Sequence, residues 1–244
     1  MLSQFSRTEL MFGKDSTQKL KECRVAVFGI GGVGGTVVES LARSGVGTID
    51  IIDNDTVSLT NINRQIIALN SNVGKFKVDV MEERIKDICP DITVNKYKCF
   101  FLPETSAEFD FSVYDYVVDA IDTVKGKIEI VEKAKQAGAR VICAMGAGNK
   151  TDPTKFEVTD IYKTHTCPLA KVMRSELKKR DIESLKVVYS TEKAVEPDVA
   201  ALDEFLNEEG ASKRSVPGSN PFVPPVCGYI IAGEVIKDLI GKEF

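Results

Sequence analysis

Arg24-Val-Ala-Val-Phe-Gly29-Ile-Gly31-Gly32-Val-Gly34-Gly35 holds a strand, a turn and the start of a helix in one short run. The apolar residues 25–28 are uninterrupted and stop at Gly29, the pattern of a strand buried on both faces in a parallel sheet. Val33, Val37, Leu41 and Ala42 then recur at helical spacing, and Gly45 stands just past the end of the predicted helix over 33–43. A glycine turn between strand and helix exposes backbone N–H groups at a helix N-terminus, where phosphate binds. Glycines needed only for close strand–helix packing would show the same spacing.

The pattern repeats along the chain. Residues 48–53 read as a second strand, followed by a helix with Val78, Met81, Ile85 and Ile88 on one face before Pro90, and by a third strand over 92–97. Residues 114–120 and 140–145 are further buried strands, separated by a helix whose Val124, Ile128, Val131 and Ala134 share a face. This alternation predicts an α/β fold with a Rossmann-like, doubly wound, mostly parallel sheet. Past residue 150 the rhythm changes to strands at 155–161 and 185–189 around a charged helix over 168–180, an α+β C-terminal extension. Residues 192–220 are acidic, then rich in Gly, Ser and Pro, with a weak helical pattern at 199–206, and are predicted to be a mobile loop. An almost wholly apolar helix over 226–240 closes the chain. The reading is one domain, 1–244, with a nucleotide-binding half over 1–150 and an extension over 151–244.

Composition narrows the function. The 244 residues are 43% hydrophobic and 28% charged, with no apolar run of the roughly 18 residues needed to span a membrane and no secretory signal, so a cytoplasmic protein is expected. A net charge of −4 excludes a generic nucleic-acid binder, so any RNA contact must come from a local patch. Cys23, Cys89, Cys99, Cys143, Cys167 and Cys227 are never closer than ten positions, which excludes C-x-x-C zinc clamps, and the single His165 excludes a multi-histidine metal site.

Asp53 ends the second strand 19 residues past Gly34, where a carboxylate accepts hydrogen bonds from ribose hydroxyls. An NAD-dependent oxidoreductase or redox sensor fits equally well to this point. Arg64 and Lys77, soon after that carboxylate, suggest several phosphates to neutralise and favour a triphosphate, although surface charges would read the same way. Asp119 and Asp122 fall at the carboxyl end of a buried strand, where open α/β sheets place their ligands. Either could hold Mg²⁺, and Asp122, nearer the strand's exit, is favoured over Asp119. Asp122 is also placed as a helix N-cap.

Together, Gly-x-Gly-Gly-x-Gly at 29–34, Asp53-x-Asp55, Asn61-x-x-Arg64-Gln65, Lys77 and Asp122 resemble the adenylation domain of the ubiquitin-activating-enzyme-like superfamily, which includes sulfur-carrier adenylyltransferases. The resemblance implies ATP binding by Gly29, Gly31, Gly32 and Gly34 with Asp53, Asp55, Asn61, Arg64, Gln65 and Lys77. It implies Mg²⁺ at Asp122, catalytic roles for Arg64, Lys77 and Asp122, and a homodimer in which Arg7 reaches the partner's phosphates.

Within that superfamily, Asn63-Arg64-Gln65-Ile, Val118-Asp119-Ala-Ile-Asp122, Gly146-Ala-Gly148, Asp152-Pro-Thr154, Pro168-Leu-Ala170 and Tyr189-Ser-Thr-Glu192 resemble the tRNA threonylcarbamoyladenosine dehydratase branch. That branch activates the side-chain carboxylate of the modified adenosine with ATP and cyclises it, needing neither zinc nor a thioester cysteine. An adenylyltransferase acting on the C-terminus of a ubiquitin-like sulfur carrier is the alternative, but it usually carries the zinc cysteine pairs that are missing here. Lys171, Arg174 and Lys178 form one basic stripe on the 168–180 helix, a candidate tRNA contact or simply a solvated face. Cys167, just before the 168–180 helix whose N-terminus could lower a thiol pKa, is the cysteine to watch with His165 beside it, while a structural or incidental role is favoured for the pair; Cys227 reads as a small core residue, and no general base is assigned.

Overall fold

The apolar run after Arg24 forms β1 (Arg24–Phe28). It pairs in parallel with β2 (Thr48–Ile52) on one edge, Val25 opposite Ile49, and with β4 (Tyr116–Asp119) on the other, Val25 opposite Tyr116. Because β1 is central, both its faces are covered: Val25 and Val27 enter one core, Ala26 and Phe28 the other. That is why the run is continuously apolar instead of alternating. A computed structural model describes residues 2–209 and 216–242. With β3 (Thr93–Tyr97), β5 (Arg140–Ala144), β6 (Phe156–Asp160) and β7 (Lys186–Ser190), the seven-stranded sheet has the order β3-β2-β1-β4-β5-β7-β6. Among the described residues only β6 is antiparallel, paired with β7 at the edge. The chain reverses its winding between β1 and β4, which opens a crevice at their carboxyl ends.

On one face lie α3 (Gly34–Ser44), α4 (Lys77–Ile88) and α8 (Val223–Ile240), and on the other α5 (Val124–Gln136) and α6 (Pro168–Lys178). The second core holds a cluster of Phe28, Phe101, Phe109 and Phe111, with Phe28 edge-on to Phe101 at 4.7 Å.

The C-terminal extension continues the same sheet, because β7 pairs in parallel with β5. Three features differ from expectation. Within the predicted loop 192–220, α7 (Val199–Glu209) is a helix; residues 210–215 lie outside the described residues. The last helix starts at Val223 instead of 226, since Pro224 and Pro225 occupy its first turn, where a missing N–H costs no hydrogen bond. Two helices that the apolar pattern did not reveal, α1 (Ser6–Phe12) and α2 (Lys14–Glu22), precede the sheet.

Helix α8 crosses α3 at Gly228, where a Cβ would come within 2.5 Å of the Val33 carbonyl oxygen and 2.8 Å of Thr36 Cβ. A Cβ at Gly233, on the same helix, would meet nothing within 4 Å among the described residues. Gly228→Ala is expected to lower stability by about 1–3 kcal/mol through overpacking. Gly233→Ala should be neutral or stabilising by up to about 1 kcal/mol through helix propensity. Urea unfolding of the two variants measures the difference.

Candidate functional site

The turn after β1 is built by close approach. Gly29 has φ +81°, and a Cβ at Gly34 would lie 1.8 Å from the Gly29 carbonyl oxygen, so no other residue lets α3 begin so close to the strand. The amides of Gly31, Gly32 and Val33 donate to no acceptor among the described residues. Unpartnered N–H groups at the positive end of α3 suit an anion.

Gly31 and Gly32 border a cavity of about 290 Å³ at the carboxyl ends of the central strands. It gathers Gly29, Gly31, Gly32, Asp53, Asp55, Asn61, Arg64, Gln65, Lys77 and Asp122. Gly34 is absent from its lining, and its part is to seat the helix. Cys99, Phe100, Phe101, Ala120 and Ile121 complete the walls. Residues 99–101 escaped the sequence reading because they follow β3 in irregular chain; the apolar Phe100-Phe101 pair was the available signal.

Asp53 leaves β2 with its carboxylate held from two directions: Ile30 N–H donates to Oδ2 at 2.8 Å and Asp55 N–H to Oδ1 at 2.8 Å. Burial pushes its pKa above the ordinary carboxylate value, while Lys77 and the two amides oppose that rise. Lys77, the first residue of α4, is buried to its tip, with Nζ 2.7 Å from Asp55 Oδ2 and 3.9 Å from Asp53 Oδ1. Arg64 stands on the short turn after Asn61, its Nη1 donating to the Thr60 carbonyl at 3.0 Å and to Asn63 Oδ1 at 2.8 Å. It has no carboxylate partner among the described residues, and burial lowers its pKa from the usual guanidinium value. Asn61 Oδ1 accepts from Ser58 N–H and closes that turn. Gln65 is buried, and its Oε1 has no partner among the described residues.

The two acidic candidates separate. Asp122 is exposed on the cavity wall, accepting only from Thr123 Oγ1 at 3.4 Å among the described residues. Asp119 is fully buried and ion-paired with Lys127 at 2.9 Å, so it is not free for a ligand. Lys127 Nζ also donates to the carbonyls of Ile121 at 3.0 Å and Ala144 at 2.8 Å, tying the cavity loop after β4 to β5. Sequence reading passed over Lys127; its only signal was a place on the apolar stripe of Val124, Val131 and Ala134.

Arg7 is not at this cavity. It is exposed on α1, just after Phe5, whose ring packs on Gly45 near the amino end of β2, the opposite end of the sheet. On α6, Lys171 and Lys178 are exposed, but the Arg174 guanidinium is turned onto the Thr164 carbonyl at 3.0 Å and its hydroxyl. Cys167 is buried and His165 lies edge-on to Tyr189; neither lines the cavity.

A model of the ThiF family matches residues 5–244. The chain belongs to the ThiF family. It is 45% identical to the tRNA threonylcarbamoyladenosine dehydratase of Bacillus subtilis (strain 168), over 98% of this chain and 96% of that protein. Among solved structures, it resembles E. coli tRNA N6-threonylcarbamoyladenosine dehydratase in complex with ATP, with 34% identity and a TM-score of 0.85 over 98% of this chain and 94% of that one. The AMP complex of the same enzyme matches at 33% identity with the same TM-score and coverage.

The Asp119–Lys127 pair sets a test of this wall. Lys127→Met should cost about 3–5 kcal/mol, the penalty for leaving a buried charge unpaired, and adding Asp119→Asn should restore much of it. Denaturant unfolding of the single and double variants reads both.

Proposed function

We propose that this ThiF-family protein is an ATP-dependent tRNA threonylcarbamoyladenosine dehydratase, acting in the cytoplasm as a homodimer. The observation that carries the reading is the single cavity that gathers Asp53, Arg64, Lys77 and Asp122 around an open helix N-terminus. It occurs in a chain closely similar, along nearly its whole length, to enzymes of that name.

In this reading the side-chain carboxylate of the modified adenosine attacks the α-phosphorus of ATP. The bond to the bridging oxygen breaks, and pyrophosphate leaves. A nucleophile within the same side chain then attacks the acyl carbon, loses its proton and expels AMP. The net change is closure of a ring with loss of water, while ATP becomes AMP and pyrophosphate. The protein's part is positioning and charge neutralisation. Asp53 accepts from ribose hydroxyls, the turn amides and Arg64 hold phosphate oxygens, and Lys77 moves from Asp55 toward the incoming negative charge.

Asp122 fits Mg²⁺. It is an exposed carboxylate on the cavity wall with no cationic partner among the described residues, and Mg²⁺ is typically bound by one or two carboxylates together with phosphates and waters. When bound there, the ion neutralises charge on the phosphates. No group of three or more His, Cys, Asp or Glu able to hold a metal occurs among the described residues. No helix among the described residues is long and apolar enough to cross a membrane.

The distance of Arg7 from its own cavity supports action in trans. Helix α1 exposes Leu10 and Met11, an apolar surface for a second copy to cover. For tRNA, Lys171 and Lys178 are the phosphate contacts proposed on α6, and Arg174 acts as a brace for them.

The direct test is nucleoside mass spectrometry of tRNA incubated with enzyme and ATP. Threonylcarbamoyladenosine should lose one water, and an unchanged mass refutes the activity. Lys77→Ala and Arg7→Ala should each lower turnover by about 10²–10³, the cost of removing one preorganised donor. Mixing the two variant chains should restore part of it, because such dimers contain one intact composite site. Lys171→Ala with Lys178→Ala should weaken tRNA binding and flatten its salt dependence without changing ATP affinity, as filter binding at several salt concentrations would show.

A further inference from the structure

A second cavity, of about 500 Å³, adjoins the first and shares Arg64 with it. One wall is α7, which presents Leu202 and Phe205; the other is the strap 216–219 with Pro217. The strap is held in place by specific bonds. Asn63 Nδ2 donates to the Ser219 carbonyl at 3.1 Å, Asn149 N–H donates to the Gly218 carbonyl at 2.8 Å, and Gly218 N–H donates back to the Asn149 side chain. Gly148 admits it closely, since a Cβ there would lie 2.6 Å from Pro217 Cβ. Glu192, whose carboxylate accepts from the amides of Thr151 and Asp152, secures the segment that follows Asn149. The glycine turn at 146–148 and the segment ending at Glu192, both distinctive in the sequence, therefore serve this cavity instead of the nucleotide pocket.

The occupant is constrained from both sides. At Arg64 the cavity meets the nucleotide pocket, beside a cation with no carboxylate partner among the described residues. At the far side it offers an aromatic and an aliphatic face. A planar base carrying a carboxylate on a flexible arm fits both ends. A base in a tRNA loop can be splayed from its stack and laid on an aromatic side chain, which a base inside a helix cannot. We infer that this second cavity receives the modified adenine of the tRNA, its ring against Phe205 and Leu202 and its carboxylate at Arg64. The inference rests on the dehydratase reading above.

The experiment uses full-length protein and tRNA purified with its threonylcarbamoyladenosine intact. Phe205→Ala should raise KM for this tRNA by about tenfold, the order expected for one lost base–aromatic stack, with Phe205→Tyr close to wild type. Ala201→Trp, which fills the cavity from an exposed position on α7, should block turnover. Both variants should bind ATP as the wild type does, by thermal shift. They should also bind tRNA lacking the modification as the wild type does. An unchanged KM in Phe205→Ala together with full activity in Ala201→Trp overturns the inference, as does an equal loss of ATP binding, which would assign these residues to the nucleotide pocket. If the wild type itself leaves the nucleoside mass unchanged, the dehydratase reading falls instead, a result distinct from an active wild type with unaffected variants.

Discussion

The molecule depends on how closely helix α3 approaches strand β1. With hydrogen in place of a side chain at Gly34, the first turn of the helix rests on the Gly29 carbonyl, and a single methyl group would collide with it. That contact places the amides of Gly31 and Gly32, which have no acceptor among the described residues, at the crevice between β1 and β4. It also sets the height at which α3 meets α8, where a second close approach, at Gly228, leaves no slack. Anion site and core packing are therefore consequences of one geometric constraint, and neither can be adjusted independently.

Buried charge is used in two ways. Asp50 is fully buried but satisfied: Arg24 donates to it twice, and Asn95 and Tyr114 add hydrogen bonds at 2.7 and 3.1 Å. Burial of the Tyr114 ring, and then the negative charge of Asp50 beside it, hold that phenol well above its usual pKa. Asp119 and Lys127 are likewise closed on one another and on two carbonyls. Such groups fix the framework because breaking them strands a charge in a poorly solvating interior. Around the cavity the balance differs. Among the described residues Arg64 has only neutral acceptors and Gln65 Oε1 has no partner, and Lys77 rests on an exposed carboxylate. Polar groups left under-satisfied in a cleft are where a charged ligand gains the most.

The C-terminal half completes the site instead of decorating it. Because β7 joins the sheet beside β5, the chain beyond residue 150 returns to the carboxyl edge of the strands, where the 149–152, 192–195 and 217–220 segments interlock. Arg64 lies at the junction of the two resulting cavities, so one cation faces both a nucleotide and whatever presents itself for activation.

Features that depend on near neighbours in the chain were legible in the sequence. The β1–turn–α3 unit and the alternation of buried strands and helices follow from periodicity and short spacings, because backbone geometry links those residues directly; Asp53, Arg64, Lys77 and Asp122 are joined as a set only by the family resemblance. The strand's exit already favours Asp122 over Asp119 in the sequence, but the reason Asp119 is engaged is tertiary: it lies in Lys127 on the next helix, which also reaches Ala144 on the next strand. Tertiary structure alone turned Arg174 inward, placed Arg7 at the far end of the sheet, made a helix of 199–209 and carried β6 and β7 into the main sheet. A side chain's partner is set by what folds against it, and spacing along the chain carries no record of that.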